Sequence, residues 1–167
     1  MRFYSVQNSG KNEIFTVSTD GVGKENNIIN EDLDALFKHF IRTESNRSYI
    51  EIINELINIY YTSYSPNWDG YSAEPITAQS LIQAFKFIDT IPSSIPFPEF
   101  SPHPDGHFTC EWYSNKNKMF VVNLIGNNNF VYFGIFTKDH RTRGIEYFDK
   151  ELPSSILEYL RRVNYDF

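Results

Sequence analysis

Four carboxylates and two histidines fall where turns and large aromatic side chains are also concentrated. Asp69 and Glu74 lie in Pro66-Asn67-Trp68-Asp69-Gly70-Tyr71-Ser72-Ala73-Glu74-Pro75-Ile76; Asp105 and Glu111 lie in the stretch from Pro102-His103-Pro104-Asp105-Gly106-His107 to Glu111-Trp112. Two or more such carboxylates, brought together, can hold a divalent metal or divide the work of general acid and base. The same residues have a competing local role. Asp in Trp-Asp-Gly or Pro-Asp-Gly bonds its own backbone while the glycine supplies a positive φ, which assigns Asp69 and Asp105 first to turns. Glu111 is the more open case, because alternation places it opposite Trp112, on the strand face that carries Thr109 and Tyr113.

His103 and His107 flank Asp105, and the four-residue spacing from His107 to Glu111 would suit a metal site on a helix. The segment reads as a strand, where positions four apart lie about 13 Å from each other, so neither a metal site nor a cofactor is expected. His39 on a helix flank and His140 in a hairpin turn read as solvated. No Gly-x-Ser-x-Gly elbow is present, and Cys110 has no histidine partner recognisable in the sequence. Gly21-Val22-Gly23-Lys24 lacks the first glycine of a phosphate loop and has Glu25 where Ser or Thr is needed. Lys138, His140, Arg141 and Arg143 form the main basic cluster and read as a solvated hairpin tip. Trp68, Tyr71, Trp112 and Tyr113 could line a groove for a peptide or a ring-shaped ligand. Aromatics make up 17% of the chain, so several must be core; Trp112 shares the Phe108 face and is assigned there, and Tyr71 is the better surface residue. Candidate binding residues are therefore Trp68, Asp69, Tyr71, Asp105 and Glu111, with no catalytic residue assigned.

These residues need elements to hold them. Phe3 to Val6 and Ile14 to Val17 flank the turn residues Asn8-Ser9-Gly10-Lys11 and predict an N-terminal hairpin. From Asn30 the period changes to that of a helix through Leu33, Leu36, Phe37, Phe40 and Ile41. A second helix is predicted from Ser48 with Ile50, Ile53, Leu56, Ile57 and Tyr60 inside, and a third follows a Thr77 cap with Leu81, Ala84, Phe85, Ile88 and Ile91 on one face until Pro92. Pro92, Pro96, Pro98, Pro102 and Pro104 then predict a stiff, extended strap. From His107 the period is two, giving four strands: His107 to Tyr113, Met119 to Ile125, Phe130 to Phe136 and Gly144 to Phe148, joined by short polar connections. Pro153 introduces a closing helix with Ile156, Leu157 and Leu160. The expected architecture is α+β, a single domain over 1–167: an antiparallel sheet, about a four-stranded C-terminal meander plus the N-terminal hairpin, with three to four helices packed on one face.

With 167 residues, 41% of them hydrophobic, the chain can bury one core. A net charge of −6 without a dense basic block makes nucleic acid an unsuitable partner. One cysteine excludes an internal disulfide framework and fits a reducing cytoplasm. No signal-peptide stretch is seen at the N-terminus, and no run approaches the roughly 18 apolar residues of a membrane span, so neither secretion nor a membrane is expected.

The combination Asn67-Trp68-Asp69-Gly70-Tyr71-x-Ala73-x-Pro75-Ile76, then Pro104-Asp105-Gly106-x(4)-Glu111-Trp112, resembles an uncharacterised family of small bacterial proteins with a Trp-Asp-Gly-Tyr loop and a Pro-Asp-Gly hairpin segment. The resemblance spans residues 64–126 and leaves the first 60 or so untouched. Ser72 stands where the family pattern would have a glycine. The resemblance implies no activity, catalytic residue or cofactor; it implies an accessory protein of bacteria or mobile elements that binds another protein as an antitoxin, immunity protein or inhibitor. The expected function is accordingly a non-enzymatic protein-binding module. Two alternatives remain: a small hydrolase using Asp69, Asp105 or Glu111 with a histidine, and a homodimer formed through an exposed strand edge at Gly144 to Phe148 or in the N-terminal hairpin.

Overall fold

A computed structural model describes residues 2–8, 11–17 and 47–165. Residues 1–46 and 47–167 form two compact units. In the first, β1 (Arg2–Asn8) and β2 (Lys11–Val17) pair antiparallel from Arg2↔Val17 to Asn8↔Lys11, with a two-residue connection between them. The helix predicted from Asn30 lies outside the described residues.

The second unit is α+β. Helix α1 (Arg47–Ser63) buries Ile53, Leu56 and Ile57, a three- and four-residue spacing that makes one stripe. It packs on α2 (Ala78–Asp89) and on β3 (Glu99–His103). Thr77 caps α2: its hydroxyl oxygen accepts from the Ser80 amide at 3.1 Å, satisfying one of the free donors of the first turn. The helix ends at Thr90, two residues before Pro92. A third helix, α3 (Ser154–Asn164), starts after Pro153 and buries Ile156, Leu160 and Val163.

Strands β3, β4 (His107–Asn115), β5 (Lys118–Leu124), β6 (Asn129–Ile135) and β7 (Arg141–Tyr147) form one five-stranded antiparallel sheet in sequence order. One face is core. Phe108, Cys110 and Trp112 of β4, Phe120, Val122 and Leu124 of β5, and Phe130 and Tyr132 of β6 are all buried there. Both long aromatic anchors of the helices meet this face. Phe87 of α2 lies 5.8 Å from Phe130 and 5.3 Å from Phe148, and Tyr159 of α3 lies 5.8 Å from Phe120 and 5.9 Å from Tyr132 (ring centroids). Offset and edge-on pairs of this kind add to area burial, so the core is specified in geometry as well as in composition.

Two details of the sequence reading are corrected. The sheet has five strands where four were predicted for the meander, because the end of the proline strap is itself a strand: Glu99↔Glu111 through His103↔His107 pair β3 with β4. Pro102 is tolerated since β3 is the edge of the sheet, where a missing N–H breaks no ladder. And β7 begins at Arg141, not Gly144, so Arg141 and Arg143 belong to a strand and not to a hairpin tip.

Candidate functional site

The Trp-Asp-Gly loop is closed by its own hydrogen bonds. The Asn67 amide donates to the Ala73 carbonyl at 2.8 Å and the Gly70 amide to the Asn67 carbonyl at 3.0 Å. Asp69 Oδ1 accepts from the amides of Tyr71 at 2.7 Å and Ala73 at 3.1 Å, and Asn67 Oδ1 accepts from Ser72 at 2.7 Å. The Trp68 indole Nε1 donates to the Glu74 carbonyl at 2.9 Å. Three residues adopt left-handed backbone here, Asn67, Gly70 and Ser72, with φ of 61°, 78° and 70°. The loop is thereby a rigid pedestal, and its apex, Tyr71, is 90% exposed.

The Pro-Asp-Gly segment is a three-residue hairpin connection between β3 and β4: Gly106 donates to the His103 carbonyl at 3.0 Å and takes φ 79°, a turn followed by a left-handed residue. The Asp105 side chain does not fix this turn. Its amide donates to His103 Nδ1 at 3.2 Å, and its carboxylate stands 3.6 Å from that nitrogen. Loop and turn are joined. Glu74 donates its amide to the Pro104 carbonyl at 2.7 Å, making a parallel bridge with Asp105, and Ser80 Oγ, in the first turn of α2, donates to the Gly106 carbonyl at 2.8 Å. Trp68, Asp69 and Tyr71 thus share one loop, and Asp105 is attached to it through Glu74. Glu111 is separate, four residues along β4 from His107, a run of about 13 Å.

Glu111 lies on the face of the sheet opposite α2 and α3, and that face carries a pattern the sequence reading missed. Cross-strand partners place Glu99, Glu111, Val121, Phe133 and Arg143 on one rung spanning all five strands. The next rung is Ser101, Thr109, Asn123, Val131 and Ile145, and on the other side run Tyr113, Met119, Ile135 and Arg141. An antiparallel sheet with one solvated face ordinarily presents polar residues there. Here Ile145 is 68% exposed, Tyr113 60% and Phe133 38%, with Val131 and Tyr147 also exposed. Carboxylates lie on the β3–β4 side and guanidinium groups on the β7 side, with Val121, Val131 and Phe133 between them and Ile145 beside the arginines on β7.

At one end of this face His103 and His107 are cross-strand partners. Partial burial, and then the neighbouring His103, push the His107 imidazole below its ordinary pKa, against a smaller opposing pull from Asp105; its buried Nδ1 has no hydrogen-bond partner among the described residues. Cys110, on the core face, is fully buried, and desolvation raises its thiol well above the ordinary range. Among the described residues no group of three or more His, Cys, Asp or Glu is placed to hold a metal ion, and no helix is long and apolar enough to cross a membrane. No protein-family model matches the chain, and neither a curated protein nor a solved structure matches it.

Proposed function

We propose that the chain is a non-enzymatic protein-binding module and that it binds through the outer face of its five-stranded sheet. The observation that carries this reading is the apolar band of exposed Val131, Phe133 and Ile145 with half-buried Val121, held on the sheet and bordered by charges. Contiguous apolar surface rimmed by polar groups is what a partner covers, and burying each such side chain fully is worth about 1.5–3 kcal/mol. The chemistry-bearing groups support the same reading. Asp69 commits an oxygen to two loop amides, and Cys110 is sealed with its thiol protonated, which leaves it a poor nucleophile. The resemblance of the loop and turn motifs narrows the proposal to an accessory protein of the antitoxin, immunity or inhibitor type.

A photo-activated cross-linking residue placed at Ile145, and separately at Tyr71, tests the reading in cells expressing the chain at native level. Protein adducts from position 145 and none from 71 are expected. Adducts only from 71 would move the binding surface to the Trp-Asp-Gly loop, and adducts from neither would remove the basis for a binding module.

A further inference from the structure

The geometry points to a second copy of this chain as the occupant of the outer sheet face, packed about a twofold axis that lies in the interface and runs along the strands. This rests on the binding-face reading above and names its partner. Two identical faces can meet about a twofold in that plane in two simple ways. An axis across the strands sets β7 on β7 and β3 on β3 with their directions reversed, and so keeps the arginines of one copy away from the carboxylates of the other. An axis along the strands carries the β7 side of one copy onto the β3–β4 side of the other and leaves position along the strand unchanged, so residues of one rung meet their own rung.

The long rung then becomes self-complementary. With the axis over β5, Arg143 of each copy stands over Glu99 of its mate and one strand away from Glu111, while Val121 meets the same residue of the mate in the centre and Phe133 packs beside it over Glu111. Arg141, on the adjoining rung, lies on the same basic side. Within one copy these charges are poorly placed. Glu99 and Glu111 are direct cross-strand partners, and like charges in that position oppose pairing. Glu55 of α1 adds to the same acidic side: its carboxyl is pushed up mainly by burial and further by Glu99, against a bond from the Phe100 backbone. The mate supplies an opposite charge to both edges.

The size is adequate. Five strands about 4.8 Å apart and seven residues of about 3.3 Å each give a face of roughly 550 Å². Two copies thus bury about 1,100 Å², at the lower edge of specific interfaces, so the dimer should be concentration-dependent and not obligate.

Sedimentation velocity on the full chain across roughly two decades of micromolar concentration tests this. A shift from monomer to dimer is expected. Arg143→Glu, and separately Glu99→Arg with Glu111→Arg, should each raise the dissociation constant at least about tenfold, and an equimolar mixture of the two variants should dimerise again, because both of its charge pairs are then opposite. Ile145→Asp, at a side chain too exposed to matter for folding, should also weaken the dimer. A monomer throughout overturns the proposal, and adducts to a different protein from position 145 would then leave the binding face standing. A dimer lost with Ile145→Asp yet indifferent to the charge swaps overturns the axis and with it the proposal. A dimer indifferent to all these variants overturns both the proposal and the face.

Discussion

Gly70 and Gly106 have φ of 78° and 79°, so replacing each by alanine imposes nearly the same backbone strain, and any difference between the two reports what surrounds them. For an L-residue the left-handed conformation costs about 1–2 kcal/mol, offset by roughly 0.4–1 kcal/mol of lost unfolded-chain entropy. At Gly70 a new Cβ would have nothing within 4 Å, so Gly70→Ala should cost only that net strain, about 1 kcal/mol. At Gly106 the Cβ would stand 2.8 Å from the Pro75 carbonyl oxygen, and backbone cannot swing aside as a side chain can. Relief must part the loop from the turn, at the expense of the Glu74 to Pro104 bond of 2.7 Å and the Ser80 to Gly106 bond of 2.8 Å. Each is worth about 1 kcal/mol net, so Gly106→Ala should cost about 3 kcal/mol in all. Guanidinium unfolding of both variants, compared at a shared slope, gives the difference directly. If the two unfolding free energies lie within about 0.5 kcal/mol of each other, the junction between loop and turn is not holding the structure and the reasoning fails.

Ser72, at φ 70°, occupies backbone that suits glycine, and Ser72→Gly should leave thermal stability equal or raise it by up to about 1 kcal/mol; a loss of that size would mean the Ser72 side chain contributes contacts worth more than the strain. The Cys110 thiol has its pKa raised by folding, so its share of stability is complete below the unfolded value of about 8.5 and is lost as pH rises above it. Melting temperature should therefore fall on the alkaline side less steeply in Cys110→Ala, and a thiol reagent should label the native chain only upon unfolding; fast native labelling would contradict the burial. His107 is shifted the other way: the unfolded chain takes up its proton first, so stability should fall as pH drops below about 6.5, and His107→Gln should flatten that limb of the melting profile. Equal slopes in variant and wild type would remove His107 from the account.

Helices α1, α2 and α3 were legible because their apolar stripes, the Thr77 cap and Pro153 each act within a few residues of chain. The turn chemistry of Asp69 was legible for the same reason, whereas in the Pro-Asp-Gly turn it is the His103 ring, not the Asp105 carboxylate, that accepts a backbone amide. The missed strand β3 was hidden by its prolines: composition says extended and stiff, and only the neighbouring β4 makes an edge strand of it. Arg141-Thr142-Arg143 looked like a polar connection, although Arg141 to Tyr147 alternates in exposure along its length. Of the outer face, alternation showed only the β4 share, Thr109, Glu111 and Tyr113; which residues of other strands lie beside them required the pairing. The long rung gathers residues from position 99 to position 143, and a slip of one residue in any pairing would have sent them to the core side.

Face docking and edge pairing place opposite demands on β7, which separates the dimer proposed here from one built by strand addition. The sheet ends at β3 and β7. Pro102 removes a donor from the first edge, so added pairing would fall on β7, whose amides not bonded to β6 would then be tied to a second copy. In the face-to-face arrangement those amides stay at the rim and keep exchanging, while Val131, Phe133 and Ile145 lose contact with water. Native-state hydrogen exchange on dilute and concentrated samples reads the first demand, and the fluorescence of an apolar dye the second. With face docking, the outward β7 amides should exchange at rates that do not depend on concentration, and dye binding per chain should fall as the chain is concentrated. New protection along Arg141 to Tyr147 without loss of dye binding would assign the contact to the edge. The apolar band would then need a different explanation, since edge pairing leaves it in water.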